Sequence, residues 1–267
     1  MLCALGSVAF IARNDYPPIF FPLLPPNSNT PTFCDANRTI DNSTLYLLCV
    51  EMASVAMDRR GAMLAKSVLV TVHDMYGGSL PLRPLEFYLE MVRGFTIQRF
   101  RYQPRTEDLA MSGNKLAKFL QSQKPYVADD AIHFVTHGYG ALVLREAFRT
   151  VDWNSTKSKL VMLAPPNRGI RYHKSMKKLL GVAGYGGVAA EELATLSVEA
   201  LDERLGKLPQ RCYPLILAGN LCLNPFNQHN YPNDGLVMIE ETAMPGEFRH
   251  QVSYIDISTL CHFKKRG

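Results

Sequence analysis

Apolar and polar residues alternate in blocks from residue 66 onward, and these blocks predict strands and helices in turn. Short runs rich in Val, Ile and Leu predict buried strands at Ser67–His73, Phe95–Arg101, Ala131–Thr136, Lys159–Ala164, Tyr213–Gly219 and Gln251–Ile257. Apolar residues at helical spacing predict helices between them, at Leu82–Arg93, Thr106–Gln123 and Tyr139–Thr150. Strands that alternate with helices favour an α/β fold with a mostly parallel, doubly wound sheet.

The first 65 residues have a different composition. They contain six of the 17 prolines and no lysine, and their four arginines are set against five acidic residues. Prolines in such runs exclude a long helix or a central strand. We therefore predict an irregular, proline-rich N-terminal arm at 1–65 and an α/β domain at 66–267, with a helical, glycine-punctuated, cap-like insert at about 170–208.

Composition and charge exclude several classes of protein. Apolar residues make up 47% of the chain and charged residues 20%, with a net charge of +5, as in ordinary globular proteins. No apolar run approaches the ~20 residues that span a bilayer, so no transmembrane segment is expected. The six cysteines form no C-x-x-C pair, and no phosphate-binding or nucleic-acid motif is present, so no metal or cofactor is predicted.

Four motifs lie at or after the ends of predicted strands: Val72–Ser79, His133–Leu142, Val161–Gly169, and a fourth that runs from Ala218-Gly219 through Leu223-Asn224-Pro225 to Asn233–Val237. In order and spacing they resemble the motifs of the esterase/lipase-like α/β-hydrolases, in which H-G-x-x-x-S, H-S-x-G-G, L-x-P-P-N-x-G and an acid loop follow one another. The resemblance covers roughly residues 66–260. It implies an α/β-hydrolase fold and a site for acyl-ester hydrolysis at the strand-to-helix elbow.

The catalytic triad that the resemblance implies is degenerate in this chain. The family's nucleophilic serine corresponds to Gly138, and glycine has no side chain that can attack an acyl group. The acid position is Asp234, within an Asn-Asp-Gly turn that needs no catalytic role. The base position falls on Ile257 or Thr259, and His262 follows only three to five residues later.

The oxyanion hole that the resemblance implies also departs from the family. Its two donors would be the backbone amides of Met75 and Tyr139, while Asp74 replaces the family's glycine. A carboxylate next to a site that stabilises a developing negative charge would oppose that stabilisation.

These departures predict a pseudoenzyme that serves as a structural or accessory subunit of a larger assembly and contacts other protein subunits through the arm. The composition is compatible with a mitochondrial location. Two alternatives stay open. One is an acyl-ester hydrolase with a rearranged site, in which His262 and Asp234 activate water. The other is a non-catalytic lipid-binding module, with a lipid in the old acyl pocket beneath the insert.

Overall fold

A computed structural model of the chain describes residues 68–76, 78–123, 132–153, 158–170, 187–222, 232–246 and 248–253. The predicted arm and the end of the predicted sixth strand, residues 254–257, lie outside these ranges. Within them, no helix combines the length and the apolar character that crossing a membrane requires.

In the part of the chain that the structure describes, six parallel strands form one sheet in the order β2-β1-β3-β4-β5-β6. The strands are β1 Val68–Val72, β2 Thr96–Phe100, β3 Ile132–His137, β4 Ser158–Leu163, β5 Cys212–Gly219 and β6 Arg249–Ser253. Every residue of β1 and β3 is buried, as expected for central strands of a parallel sheet, and the buried set includes the polar residues His133, Thr136 and His137 of β3. The predicted parallel α/β sheet is confirmed.

Helices cover both faces of the sheet. They are α1 Arg83–Arg93, α2 Leu109–Gln123, α3 Gly140–Thr150, α4 Gly187–Thr195 and α5 Val198–Leu205, with 3-10 turns at Leu80–Leu82 and Ile239–Thr242. Successive residues of β1 enter different cores because strand side chains alternate in direction. Val70 packs with α2 to α5, whereas Leu69 packs with Leu85 and Leu89 of α1.

Two predicted boundaries shift for identifiable reasons. The helix predicted from Thr106 begins at Leu109, because the Asp108 carboxylate accepts the amide of Met111 at 2.7 Å and caps the first turn. The last strand begins at Arg249, before the predicted Gln251, because Arg249 is already in register with Leu215 of β5.

The described half of the insert belongs to the body of the domain. Apolar residues of α4 and α5 are buried in the same core as α2 and α3. The first amides of α4, those of Val188 and Ala189, donate to the carbonyls of Arg105 and Pro104 at 3.3 and 3.0 Å. Residues 171–186, on which the predicted lipid pocket also depends, lie outside the described ranges.

Asn167 joins three segments beneath the carboxyl ends of the strands. Its side chain is fully buried; Oδ1 accepts from Arg145 Nη1 at 3.1 Å, and Nδ2 donates to the carbonyl of Thr242 at 2.8 Å. Arg145 is also buried, which lowers the pKa of its guanidinium to about 10, and it donates to the carbonyl of Gly206 at 2.9 Å. A buried cation needs such partners, so this junction stabilises the loop after β4.

We expect Asn167→Ala to lower the free energy of unfolding by about 2–4 kcal/mol, because it leaves a buried guanidinium and a buried carbonyl each short of a partner. Urea denaturation followed by circular dichroism measures the loss. Arg168→Ala is the control, since this neighbouring side chain is exposed. The control should change stability by less than about 0.5 kcal/mol, and equal losses in the two variants would contradict the role of Asn167.

Candidate functional site

The elbow lies where β3 ends and α3 begins. Gly138 has a φ of 50°, in the left-handed region that favours glycine, and its amide donates to the carbonyl of Leu163 at 2.9 Å. A Cβ on Gly140 would lie 2.5 Å from the carbonyl oxygen of His73 and 2.6 Å from that of Val72. Glycine at 140 thus lets the start of α3 lie directly against the end of β1.

The carboxylate of Asp74 occupies the anion-binding position of this elbow. Its Oδ1 accepts the amide of Tyr139 at 2.8 Å, and its Oδ2 accepts the amide of Tyr76 at 3.3 Å. Asp74 itself is buried, at 5% exposure. Free amides at the start of a helix favour an anion, and here the chain supplies one from its own β1 loop.

The same carboxylate fills the space beside Gly138. A Cβ on Gly138 would lie 2.5 Å from Asp74 Cγ and closer still to Oδ1. The amide of Tyr139 donates to this carboxylate. The second amide at the carboxylate belongs to Tyr76, and Met75 is buried among apolar residues of the core. A nucleophile's side chain and Asp74 therefore compete for one volume.

Asp234 is buried within a tight turn. Its Oδ1 accepts the amides of Leu236 and Val237 at 3.0 and 2.8 Å, and Asn233 Oδ1 accepts the amide of Gly235 at 2.8 Å. This hydrogen bonding is what Asx residues contribute to turns, with or without a catalytic role. The candidate base positions Ile257, Thr259 and His262 lie outside the described residues.

His73 fixes the segment that carries Asp74. Its ring stacks on Tyr102 with the centroids 4.4 Å apart, and Nδ1–H donates to the carbonyl of Asp74 at 2.7 Å. Nε2 accepts the Tyr102 amide at 3.5 Å, while the Tyr102 hydroxyl donates to the His73 carbonyl at 2.9 Å. Burial lowers the pKa of His73 despite the Asp74 carboxylate nearby, so the ring is neutral at pH 7.

A charged network ties the elbow to the insert. The Tyr139 hydroxyl donates to Glu192 Oε2 at 3.3 Å, and burial together with this carboxylate raises the pKa of Tyr139. Glu192 also accepts the amide of Leu109 at 2.7 Å and Nη1 of Arg204 at 2.9 Å. Arg204 Nε in turn donates to Glu146 at 3.2 Å. Sequence analysis missed this network because no local motif marks residues from four separate segments.

The described residues give little support for metal-dependent or cysteine-based chemistry. They contain no group of three or more His, Cys, Asp or Glu side chains arranged to hold a metal ion. Burial raises the pKa of the Cys212 thiol to about 12, and an uncharged thiol is a poor nucleophile.

The sheet order, the elbow after β3 and the helices on both faces define the α/β-hydrolase fold. Among solved structures the chain is similar to the mature form of the lipase BlEst2 from Bacillus licheniformis, with 18% identity, a TM-score of 0.60, and coverage of 77% of this chain and 91% of that one. It is also similar to the phospholipase PlaB from Legionella pneumophila in complex with thio-NAD, with 18% identity and a TM-score of 0.50. That alignment covers 66% of this chain and 44% of the phospholipase.

These similarities concern the fold, since sequence identity is low. The sequence matches no protein-family model, and a search of the curated proteins finds no match. The function must therefore be argued from the site itself.

We expect Gly138→Ala to lower the free energy of unfolding by about 2–4 kcal/mol, because the new methyl group meets the Asp74 carboxylate and the positive φ disfavours a Cβ. In an Asp74→Gly background the same substitution should cost only about 1–2 kcal/mol, the conformational part. A double-mutant cycle by urea denaturation measures this coupling.

Gly206→Ala is the matched control for the cycle. Gly206 has a φ of 55°, and a Cβ there would meet nothing within 4 Å. Its φ of 55° and ψ of −154° give alanine a conformational cost of its own, but the substitution should show no coupling to Asp74→Gly. Coupling as large as that of Gly138→Ala would mean that the effect does not arise from contact.

Proposed function

We propose that this chain is a catalytically inactive protein of the α/β-hydrolase fold that serves as a structural or accessory subunit of a larger protein assembly. One observation carries the proposal. The Asp74 carboxylate lies on the amide of Tyr139, beside an elbow residue, Gly138, that has no side chain.

Electrostatics supports the loss of acyl-hydrolase chemistry. An oxyanion hole works by directing backbone dipoles at the negative charge that develops in the transition state, and losing one donor costs about 10²–10³ in rate. In this chain a substrate oxyanion would have to displace the Asp74 carboxylate from the Tyr139 amide. It would then develop its charge next to that carboxylate, in a buried and weakly screened site.

The nucleophile position gives separate support. Gly138 offers no hydroxyl, and the space that a serine side chain would need is filled by Asp74. Enzymes that lose a triad residue keep only a residual rate that depends on the oxyanion hole and on binding. Here the hole and the nucleophile depart from the family together.

The accessory role rests on the arm. Six prolines in 65 residues leave the segment few ways to bury apolar side chains such as Phe20, Phe21 and Leu23 within regular secondary structure of its own, which favours the surface of another protein as its support. Its four arginines and five acidic residues give the arm a net charge of −1. Since the whole chain has a net charge of +5, the residues after the arm carry +6. A mitochondrial location stays a prediction from composition.

We expect the purified full-length chain to hydrolyse short-chain nitrophenyl esters no faster than buffer, with or without Asp234→Asn. Gly138→Ser should also fail to react with a fluorophosphonate probe, because Asp74 occupies the oxyanion position. An active serine esterase is the positive control for both assays. Saturable turnover that disappears in Asp234→Asn would refute inactivity and favour the rearranged hydrolase.

We expect the native protein, extracted gently from its source, to migrate in a complex well above its own mass of 29.9 kDa. A version that lacks residues 1–65 should leave this complex while keeping the far-ultraviolet circular dichroism of the domain. Native protein found solely at 29.9 kDa would contradict an accessory role. Mass spectrometry that detects stoichiometric lipid in such a monomer would favour the lipid-binding alternative.

A further inference from the structure

Helix α1 presents large apolar side chains to solvent. Leu80, in the turn before the helix, is 72% exposed, Phe87 is 66% exposed and Met91 is 67% exposed. Val92 is exposed as well. Single exposed apolar residues are ordinary, but a contiguous group on one helix marks an interaction surface.

These side chains form a stripe on the outer side of the helix. At 3.6 residues per turn, Pro84, Phe87 and Met91 lie on one face. The opposite face carries Leu85 and Leu89, which pack against the sheet. Helix α1 thus has two apolar faces, and the domain core uses one of them. We call Leu80, Pro84, Phe87 and Met91 the α1 stripe.

Two opposite charges flank the α1 stripe on the same side. Arg83 and Glu90 are two helical turns apart, and their side chains are 42% and 47% exposed. The buried Glu86 between them already accepts from Arg99 at 2.6 Å. Among the described residues, the contacts of Arg83 with Glu86 at 3.8 Å and of Arg99 with Glu90 at 3.5 Å are longer. Arg83 and Glu90 therefore both keep surface for a partner.

We propose that the α1 stripe is the contact of a symmetric dimer, in which the α1 helices of two copies of this chain pack antiparallel. In an antiparallel pair, residues on the same flank of each helix face each other across the twofold axis. An axis midway between positions 83 and 90 brings Arg83 of each copy to Glu90 of the other. Phe87 then lies next to the axis.

The positions of Arg83 and Glu90 along α1 favour a second copy of this chain as the partner. In the antiparallel orientation the apolar side chains of the two stripes meet. The flanking charges then form two pairs of opposite sign, Arg83 of each copy with Glu90 of the other. An anionic lipid surface would attract Arg83 and repel Glu90, so it would gain little from this pair. The inference goes beyond the proposed function and does not depend on the loss of catalysis.

The contact is small, so the dimer is weak. One helix pair buries less than the roughly 800 Å² per partner of a standard stable interface. We therefore expect a dissociation constant in the micromolar range, with charges that set orientation more than strength.

Sedimentation velocity of the purified full-length chain, from about 1 to 100 µM, tests the contact. We expect a monomer–dimer equilibrium that Phe87→Glu weakens at least about tenfold. Met111→Glu is the control, since Met111 is also exposed but lies on α2. A chain that stays monomeric over the whole range, or equal weakening by the two substitutions, would overturn the proposal.

A charge exchange tests the antiparallel arrangement. Arg83→Glu and Glu90→Arg should each weaken self-association, because each sets like charges face to face. An equimolar mixture of the two variants should form a dimer about as strong as the native one, which local damage to either fold would not produce. A chain that carries both Arg83→Glu and Glu90→Arg should also form a dimer about as strong as the native one.

Failure of the mixture to associate would overturn the antiparallel pair. A pure chain that stays monomeric, while another protein from its source binds it in a manner that depends on Phe87, would assign the stripe to that protein and refute the dimer. Neither outcome bears on catalysis, so the proposed inactivity is judged separately by the ester assays.

Discussion

The hydrogen bond from the Tyr139 amide to the Asp74 carboxylate is the contact around which the site is organised. The amide belongs to Tyr139, the N-cap residue just before α3, and the carboxylate belongs to the loop after β1, 65 positions earlier. Hydrogen bonds to charged groups contribute about 1.5–3 kcal/mol, and the dipole of α3 adds to this one. In this structure the chain itself supplies the carboxylate that satisfies the amide.

Asp74 and Gly138, which both differ from the motifs that the sequence resembles, therefore belong to one structural feature. With Asp74 on the Tyr139 amide, position 138 has room for nothing larger than glycine. With glycine at 138, no nucleophile needs the volume that Asp74 fills. The stack of His73 on Tyr102 holds the segment before Asp74, and Glu192 holds the side chain of Tyr139 from the insert. The elbow is thus fixed on both sides as a joint between layers of the fold.

This chain shares with a bacterial lipase the arrangement of the sheet and its helices. A fold of this kind supports many functions, and each depends on the residues placed at its loops and surfaces. In this chain the elbow has become part of the packed interior, while α1 carries apolar surface that the domain itself does not use.

Local pattern determined the strands, their order along the chain and the elbow glycine, because strand and helix periodicity and a positive φ are properties of short segments. The sequence pattern determined the ends of helices less well. The start of α2 is an example, because Asp108 caps it through a side-chain hydrogen bond that the spacing of apolar residues does not reveal. The resemblance implied site positions at Asp74, Met75, Gly138, Tyr139 and Asp234, with a base position at Ile257 or Thr259. Only the tertiary structure decided that the Asp74 oxygens lie on the Tyr139 and Tyr76 amides, because those groups meet through long-range packing. It also decided which apolar face of α1 enters the core, since the pattern of that helix is apolar on both sides.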